Sequence, residues 1–257
     1  MSRFFFHPEP QLGKIVSLPQ EETHHLLVQR VSPREGILIS NGRGKLYRGI
    51  FQGKNEKYAS VLVVEKVKEE APPPSFCVWQ SFLRSPVRME WLVEKLTEIG
   101  VTEIGFFPAE RSVKEKISQE KAKRFERIAI NACKQSGRIW FPAIRVCGSW
   151  EEFLSLLKAS ARGTILLADP SGNINLFGLL QKESIRCPAN LIVGPEGDLT
   201  EREKQELCDQ GARPVALAEK ILRSETAAIF GAAILSAFLE ASRADRHQDA
   251  GMQSESG

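Results

Sequence analysis

Apolar and polar positions change their period partway along the chain, and that change divides it. Over residues 1–70 the apolar runs are short and strand-like: Phe4–Phe6, Lys14–Leu18, Gly36–Ser40, Lys45–Phe51 and the valine-rich Tyr58–Lys68. One stretch, Glu21–Val31, has helical character, with apolar Leu26, Leu27 and Val31. Asn41-Gly42-Arg43-Gly44 sits between two of the apolar runs and predicts a hairpin, because asparagine and glycine accept positive φ. Many short strands with one helix predict a compact β-barrel. Ala71-Pro72-Pro73-Pro74-Ser75 is the expected linker, since consecutive prolines stiffen an extended connection and cannot join a central strand.

From residue 76 strands and helices alternate. Phe76–Phe82 reads as a strand, and Met89, Leu92, Val93, Leu96 and Ile99 recur at helical spacing over Val87–Ile99. Thr102–Phe107 is a strand, and Ser118 is placed to cap a long basic helix running to Ser136. Then follow a helix at Trp150–Ala159, a strand at Thr164–Ala168, a short helix at Leu176–Leu180 and a strand at Asn190–Val193. This alternation predicts an α/β fold with a mostly parallel, buried sheet covered by helices on both faces. A final helix is expected over Glu225–Arg243. The second domain therefore spans 76–243, and the polar tail at 244–257 is expected to be disordered.

Composition narrows the class. A chain of 257 residues, 42% hydrophobic and 26% charged, has globular values and the length of one large or two ordinary domains. No apolar run is expected to span a membrane, and Met1–Pro8 is too quickly interrupted by proline to be a signal peptide. Cys77, Cys133, Cys147, Cys187 and Cys208 are widely spread and lack a Cys-x-x-Cys pair, which suits reduced thiols in a cytoplasmic protein. The four histidines lack metal-ligand spacing, so no metal is expected. The net charge of +3 hides an asymmetry. Residues 1–70 and 84–145 are net positive and 146–257 net negative. The amino-terminal half thus has the footprint a polyanion would use, although solvated helix faces account for single lysines equally well.

The stretch Asn190–Leu235 concentrates the candidate chemistry. Its first strand runs into Gly194-Pro195-Glu196-Gly197, where glycines allow close backbone approach and Pro195 stiffens the loop. Thr200 and Glu203 form a capping-box pattern that opens a helix. The same residues also read as an ordinary strand-to-helix turn. Neither a dinucleotide Gly-x-Gly-x-x-Gly nor a phosphate-binding Gly-x-x-x-x-Gly-Lys is present. A second strand runs into Ile221-Leu222-Arg223-Ser224-Glu225-Thr226-Ala227, which opens a helix rich in small residues. Arg223 and Glu225 are costly in this apolar setting unless paired or used.

Together, Ile-Val-Gly-Pro-Glu-Gly and Leu-Ala-Glu-Lys-Ile-Leu-Arg-Ser-Glu-Thr-Ala resemble the carboxy-terminal signature of the RsmE-type methyltransferases, which modify uridine at N3 in small-subunit ribosomal RNA. His24–Val31 and Asn41–Gly44 resemble that family's PUA-like RNA-binding barrel. Arg88-Met89-Glu90, Lys95–Val101, Glu110–Ser112 and Gln135–Arg138 fall where the family has similar runs. The resemblance implies a SPOUT-class parallel sheet with a C-terminal trefoil knot that binds S-adenosylmethionine, and a homodimer. Nothing in the periodicity shows a knot. The chain departs from the family pattern at Asp198 and Ala218, where glycine is usual, and at Arg84-Ser85, where lysine-glycine is usual.

On this resemblance the cofactor would be held by Ala168, Val193, Gly194, Pro195, Glu196, Gly197, Leu217, Ala218, Ile221, Leu222, Arg223, Thr226 and Ala227. Arg111, Arg138 and Arg223 are candidate donors to the developing charge or to phosphate, and Glu225 is a proton acceptor or arginine partner. Arg30, Arg43, Lys45, Arg48, Lys121, Arg124, Arg127 and Lys134 would track the phosphate backbone of ribosomal RNA or of a small ribosomal subunit. Two alternatives stand beside this reading: a knotted methyltransferase acting on a ribose 2′-hydroxyl, and a non-catalytic RNA-binding ribosome-assembly factor.

Overall fold

The computed structural model describes residues 3–113, 117–159 and 163–254, with side chains described through Arg243. The chain divides into two compact units. One is Met1–Pro73 with Ala129–Phe141, and the other is Pro74–Ile128 with Pro142–Gly257. The run of residues expected to form one continuous second domain thus gives its segment 129–141 to the first unit.

The first unit contains β1 (Phe4–Phe6), β2 (Ile15–Ser17), α1 (Gln20–Val28), β3 (Gly36–Ser40), β4 (Lys45–Lys54) and β5 (Ala59–Glu69). They form one mixed sheet in the order β1-β3-β4-β5-β2, in which only β1 and β3 are parallel. Among the described residues the edge strands β1 and β2 do not pair with each other, so the sheet is curled and open rather than the compact barrel expected. Its core follows the period of two along β5, where Ala59, Val61 and Val63 are buried against Phe5, Leu18, Leu26 and Ile39. The β3–β4 hairpin turns through Asn41–Gly44. Gly42 takes φ 69, and the Asn41 side chain accepts the amides of Arg43 and Lys45 at 2.9 and 3.0 Å.

The second unit begins with β6 (Phe76–Ser81), α2 (Pro86–Ile99) and β7 (Glu103–Phe107). Helix α3 (Gln119–Ser136) starts in this unit and ends in the first. Next come β8 (Ala143–Val146), α4 (Trp150–Ala159), β9 (Thr164–Ala168), α5 (Leu176–Lys182), β10 (Ala189–Val193), α6 (Glu201–Asp209), β11 (Arg213–Val215) and α7 (Ser224–Ser254). Six strands make a fully parallel sheet in the order β11-β9-β10-β6-β7-β8. The central β6 and β10 are buried along their whole length, which is why they are mostly apolar, with Gln80, Ser81 and Asn190 as buried polar exceptions. One face of the sheet packs Trp79, Phe107 and Phe153, the last two stacked at 4.0 Å.

The order of β10 matters most for the site. It follows β9 in sequence but lies between β9 and β6, and α7 then packs on β10, β6, α2 and α5. Gly231 permits this approach, because a Cβ there would lie 2.8 Å from Leu191 and 3.3 Å from Leu217. Ser236 fixes the far end by donating to Ile99 O at 2.8 Å.

Two expectations need correction. Ser224–Arg243 does have the length and apolar content of a membrane span, but half of it is buried against its own sheet and helices. Helix α7 is assigned through Ser254 rather than ending at Arg243. The expected disordered tail, 244–257, otherwise falls outside the residues whose side chains are described.

Candidate functional site

Three loops leave the carboxyl ends of the adjacent strands β11, β9 and β10 and enclose a cavity of about 750 Å³. That is a ligand-sized volume at the end of a parallel sheet where ligands are expected to bind. Ala168–Ser171 forms one wall, Val193–Glu196 with Asp198 a second, and Leu217–Ala227 a third, with Arg88 of α2 and Lys204 of α6 at the rim.

The walls are tied together by hydrogen bonds. The loop after β11 runs alongside the segment before α5, with Ala216 N donating to Ile174 O at 2.8 Å and Leu176 N to Ala216 O at 2.9 Å. Gln80, fully buried at the end of β6, donates to Ser224 Oγ at 2.7 Å and to Gly194 O at 3.2 Å. The Ser224 hydroxyl in turn donates to Gly194 O. The expected capping box is present, with Thr200 and Glu203 satisfying each other's amides at the start of α6. Buried Glu203 also accepts the amide of Glu110 at 2.8 Å.

Charge is arranged in two clusters. Lys204, only 14% exposed, lies 3.1 Å from Asp169 and 2.9 Å from Asp198. Burial alone would raise the Asp169 pKa; hydrogen bonds from the Ser171 hydroxyl and amide and from Lys204 outweigh it, so its carboxyl lies below its ordinary value. Burial would likewise lower the Lys204 pKa, and the two aspartates reverse the sign. In the second cluster Glu225, 7% exposed, faces Arg88 at 3.4 Å through Oε1. Its other oxygen, Oε2, is buried without a partner among the described residues.

Twelve of the sequence-predicted residues line the cavity: Ala168, Val193, Gly194, Pro195, Glu196, Leu217, Ala218, Ile221, Leu222, Arg223, Glu225 and Ala227. Gly197 and Thr226 do not. Arg111 is also outside the lining and donates to Gly197 O at 3.4 Å. Arg138 belongs to the first unit, where its amide bonds to Cys133 O. Sequence reasoning missed Arg88, Asp169, Pro170, Ser171, Lys204, Lys220 and Ser224 as lining residues, and it flagged Asp198 only as a departure.

The expected phosphate-tracking residues divide. Arg30 and Arg43 are exposed, as is Arg127 on α3, and Lys121 is half-buried. Lys45 and Arg48 form exposed pairs with Glu69 and Glu65, and Arg124 pairs with Glu90. Lys134 is a correction. It is 7% exposed and its ammonium lies 2.7 Å from the equally buried Glu22, so it is committed to the interior and does not face a phosphate. Among the described residues no group of three or more metal-ligating side chains occurs.

A model of the RNA methyltransferase domain matches residues 70–236. The ribosomal RNA small subunit methyltransferase E of Mesomycoplasma hyopneumoniae (strain 232) is 32% identical over 233 residues, covering 90% of this chain and 96% of that protein. The enzyme of the same name from Bacillus subtilis (strain 168) is 29% identical over 256 residues, covering 96% and 100%. The crystal structure of a ribosomal RNA small subunit methyltransferase E from Neisseria gonorrhoeae, bound to S-adenosyl methionine, matches with a TM-score of 0.80 at 27% identity, covering 92% of this chain and 98% of that one. The parallel sheet and the cavity at its strand ends are therefore those of an RNA methyltransferase. More narrowly, the chain belongs to the ribosomal RNA small subunit methyltransferase E (RsmE) family.

Proposed function

We propose that this protein transfers a methyl group from S-adenosylmethionine to N3 of one uridine in small-subunit ribosomal RNA. The observation that carries the reading is the cavity at the ends of β9, β10 and β11, lined by the loops that bear the family signature. Its residues fit the cofactor. Val193, Leu217, Ala218 and Leu222 offer apolar surface to an adenine ring, and the backbone of Gly194–Glu196 and Leu217–Leu222 offers donors and acceptors to its edge. Asp169, Glu196 and Asp198 are carboxylates at the cavity available to hydroxyl, ammonium or sulfonium groups. The bound cofactor supplies an electrophilic methyl group and departs as a neutral thioether.

What remains for the protein is to orient the uracil ring and to manage one proton. Uridine N3 is protonated at neutral pH and must lose that proton near the moment of attack. Glu225 is the proton acceptor in this reading, Arg223 supplies a donor to developing charge, and Arg111 and Arg138 are assigned to phosphate contacts. Arg30, Arg43, Lys45, Arg48, Lys121, Arg124 and Arg127 contribute phosphate contacts. The reading also includes a PUA-like role for the first unit, a trefoil knot in the C-terminal segment, a homodimer and a cytoplasmic location. The insertion of β10 between β9 and β6 supports the threading. The exposed Ile221, Phe177 and Phe230 support a second copy as their cover.

Mass spectrometry of ribosomal RNA from cells with and without this protein tests the reading, with N3-methyluridine expected only when it is present. An unchanged signal would exclude the proposed reaction. Ultracentrifugation tests the dimer, which a monomer at micromolar concentration would exclude.

A further inference from the structure

We propose that Arg88 and Glu225 form a donor–acceptor pair that reads the imide edge of uracil, so that one pair of side chains both selects the base and removes its proton. The inference rests on the N3-methyluridine reading above and names the residues that impose it.

Glu225 stands in the first turn of α7 and lines the cavity, yet it is almost wholly withdrawn from water. Oε1 faces Arg88 Nη1 at 3.4 Å, while Oε2 has no hydrogen-bond partner among the described residues. A buried carboxylate oxygen without a donor is unfavourable in a finished fold, and because Glu225 lines the cavity, a ligand seated there can bring the missing donor. Arg88 is 43% exposed at the same cavity, and a guanidinium has five N–H donors, which one contact to Glu225 does not exhaust. The pair therefore presents an acceptor beside a set of donors.

Uracil offers the complement. Its N3–H is a donor flanked by two carbonyl acceptors, so N3–H fits Glu225 Oε2 while a neighbouring carbonyl accepts from Arg88. Cytosine does not fit, because its N3 is a bare acceptor that would face a carboxylate. In the reaction the N3–H bond breaks and the proton passes to Glu225 Oε2. The electron pair left on N3 forms the N3–C bond, and the S–C electron pair remains on sulfur, which leaves as the neutral thioether. Arg88 meanwhile holds the charge that spreads onto the carbonyl oxygen, in a site where a fixed donor needs no reorganisation.

The experiment uses the full chain and small ribosomal subunits lacking the methyl group, with the target uridine intact or replaced by cytidine. Wild type, Glu225→Gln, Glu225→Asp, Arg88→Met and Arg88→Lys are compared by single-turnover methylation, and their S-adenosylmethionine affinity is measured separately by calorimetry. Glu225→Gln is expected to slow the methylation step by about 10²-fold or more, in the range for loss of a general base. Its cofactor affinity should stay within about threefold, as expected for a group that acts on the base alone. Its melting temperature should equal or exceed that of wild type, because the substitution removes a buried, half-satisfied charge. Glu225→Asp and Arg88→Lys should recover part of the rate. Arg88→Met should narrow the preference for uridine over cytidine, which wild type holds at about 10²-fold or better.

A Glu225→Gln enzyme with wild-type rate, or one whose whole defect is lost cofactor binding, overturns the inference while leaving the methylated atom as proposed. A wild-type product methylated at another atom overturns both.

Discussion

Lys204 Nζ lies 2.9 Å from Oδ2 of Asp198, a residue whose backbone is left-handed at φ 61. Glycine is usual at this position in the family that the sequence resembles, and aspartate is among the few other residues that enter this region readily. Here the side chain is used twice, since Oδ1 accepts the amide of Leu199 at 2.8 Å while Oδ2 meets the lysine. The same ammonium reaches Asp169, so one residue of α6 links the loops after β9 and β10.

Asp198→Gly removes the ion pair and the backbone strain together, whereas Asp198→Ala removes the ion pair and keeps the strain. Thermal unfolding should therefore rank the glycine variant above the alanine variant by about 1 kcal/mol. Both should bind S-adenosylmethionine more weakly than wild type in a calorimetric titration. Equal stability of the two variants would show that φ at this position is not held.

Lys204→Met leaves Asp169 with Ser171 but without its counter-charge, and a loss of about 1–3 kcal/mol is expected at neutral pH. Asp169 titrates below its ordinary value of 3.8 in the folded protein, so its contribution is present above that value and disappears as pH falls through the lowered one. Lys204 titrates above its ordinary 10.5, so its contribution persists below that value and is lost only as pH rises through the raised one. The stability difference between wild type and Lys204→Met should be flat between these limits and close below pH 3.8. Urea unfolding across pH measures it, and a difference that closed near neutrality would assign it to another group.

The capping box, the parallel alternation and two of the three cavity loops were legible in the sequence because each depends on local pattern. Thr200 and Glu203 are three apart, and the runs that become β6 and β10 are mostly apolar. Strand β8 was missed because this edge strand leaves Ala143 and Arg145 exposed and so lacks an apolar run. The loop Asp169-Pro170-Ser171 carries no glycine signature. Arg88 and Lys204 sit on helices, where charged residues normally meet solvent, and only the fold turns them toward a cavity. Lys134 was misread for the converse reason: a lysine in a basic helix gives no local sign that Glu22, distant in sequence, neutralises it indoors.

That correction separates two lysine and arginine roles by experiment. Lys134→Met strands the buried Glu22 carboxylate and should cost about 3–5 kcal/mol, while the salt dependence of RNA binding by the remaining folded protein stays as in wild type. Arg43→Ala, at an exposed turn, should leave stability nearly unchanged and make the slope of log affinity against log salt shallower by about 0.7–0.9. The reverse pattern would return Lys134 to the RNA face.

At Gly231 helix α7 lies close against Leu191 of β10 and Leu217. Gly231→Leu should destabilise the protein by about 1–3 kcal/mol through overpacking against Leu191 and Leu217. Because Leu217 lines the cavity, cofactor affinity should fall with it. Gly231→Ala should be nearly neutral in a melting experiment, since gained helix propensity offsets a contact that side-chain ends can relieve.

Thiol reactivity should follow burial. Burial pushes the pKa of Cys133 and of Cys147 up to about 12, and that of Cys77 well above its ordinary value. Cys187 is exposed and Cys208 partly so. Timed alkylation with mass-spectrometric mapping should label Cys187 first, Cys208 next and the other three only on unfolding. Early labelling of Cys133 would contradict the packing at the end of α3.

The placement of β10 has a consequence for the nascent chain. When a ribosome has extruded everything through β9, the partners on either side of the gap exist, yet the strand that joins them does not. Until β10, β11 and α7 emerge, β9 has no neighbour in the sheet, β6, β7 and β8 stand apart from it, and the cavity has one wall of three. The contacts that finish the site span long separations in sequence, so folding of this unit should be slow and governed by its last elements. A chain that stops before β10 should therefore lack two of the three walls that a ligand needs.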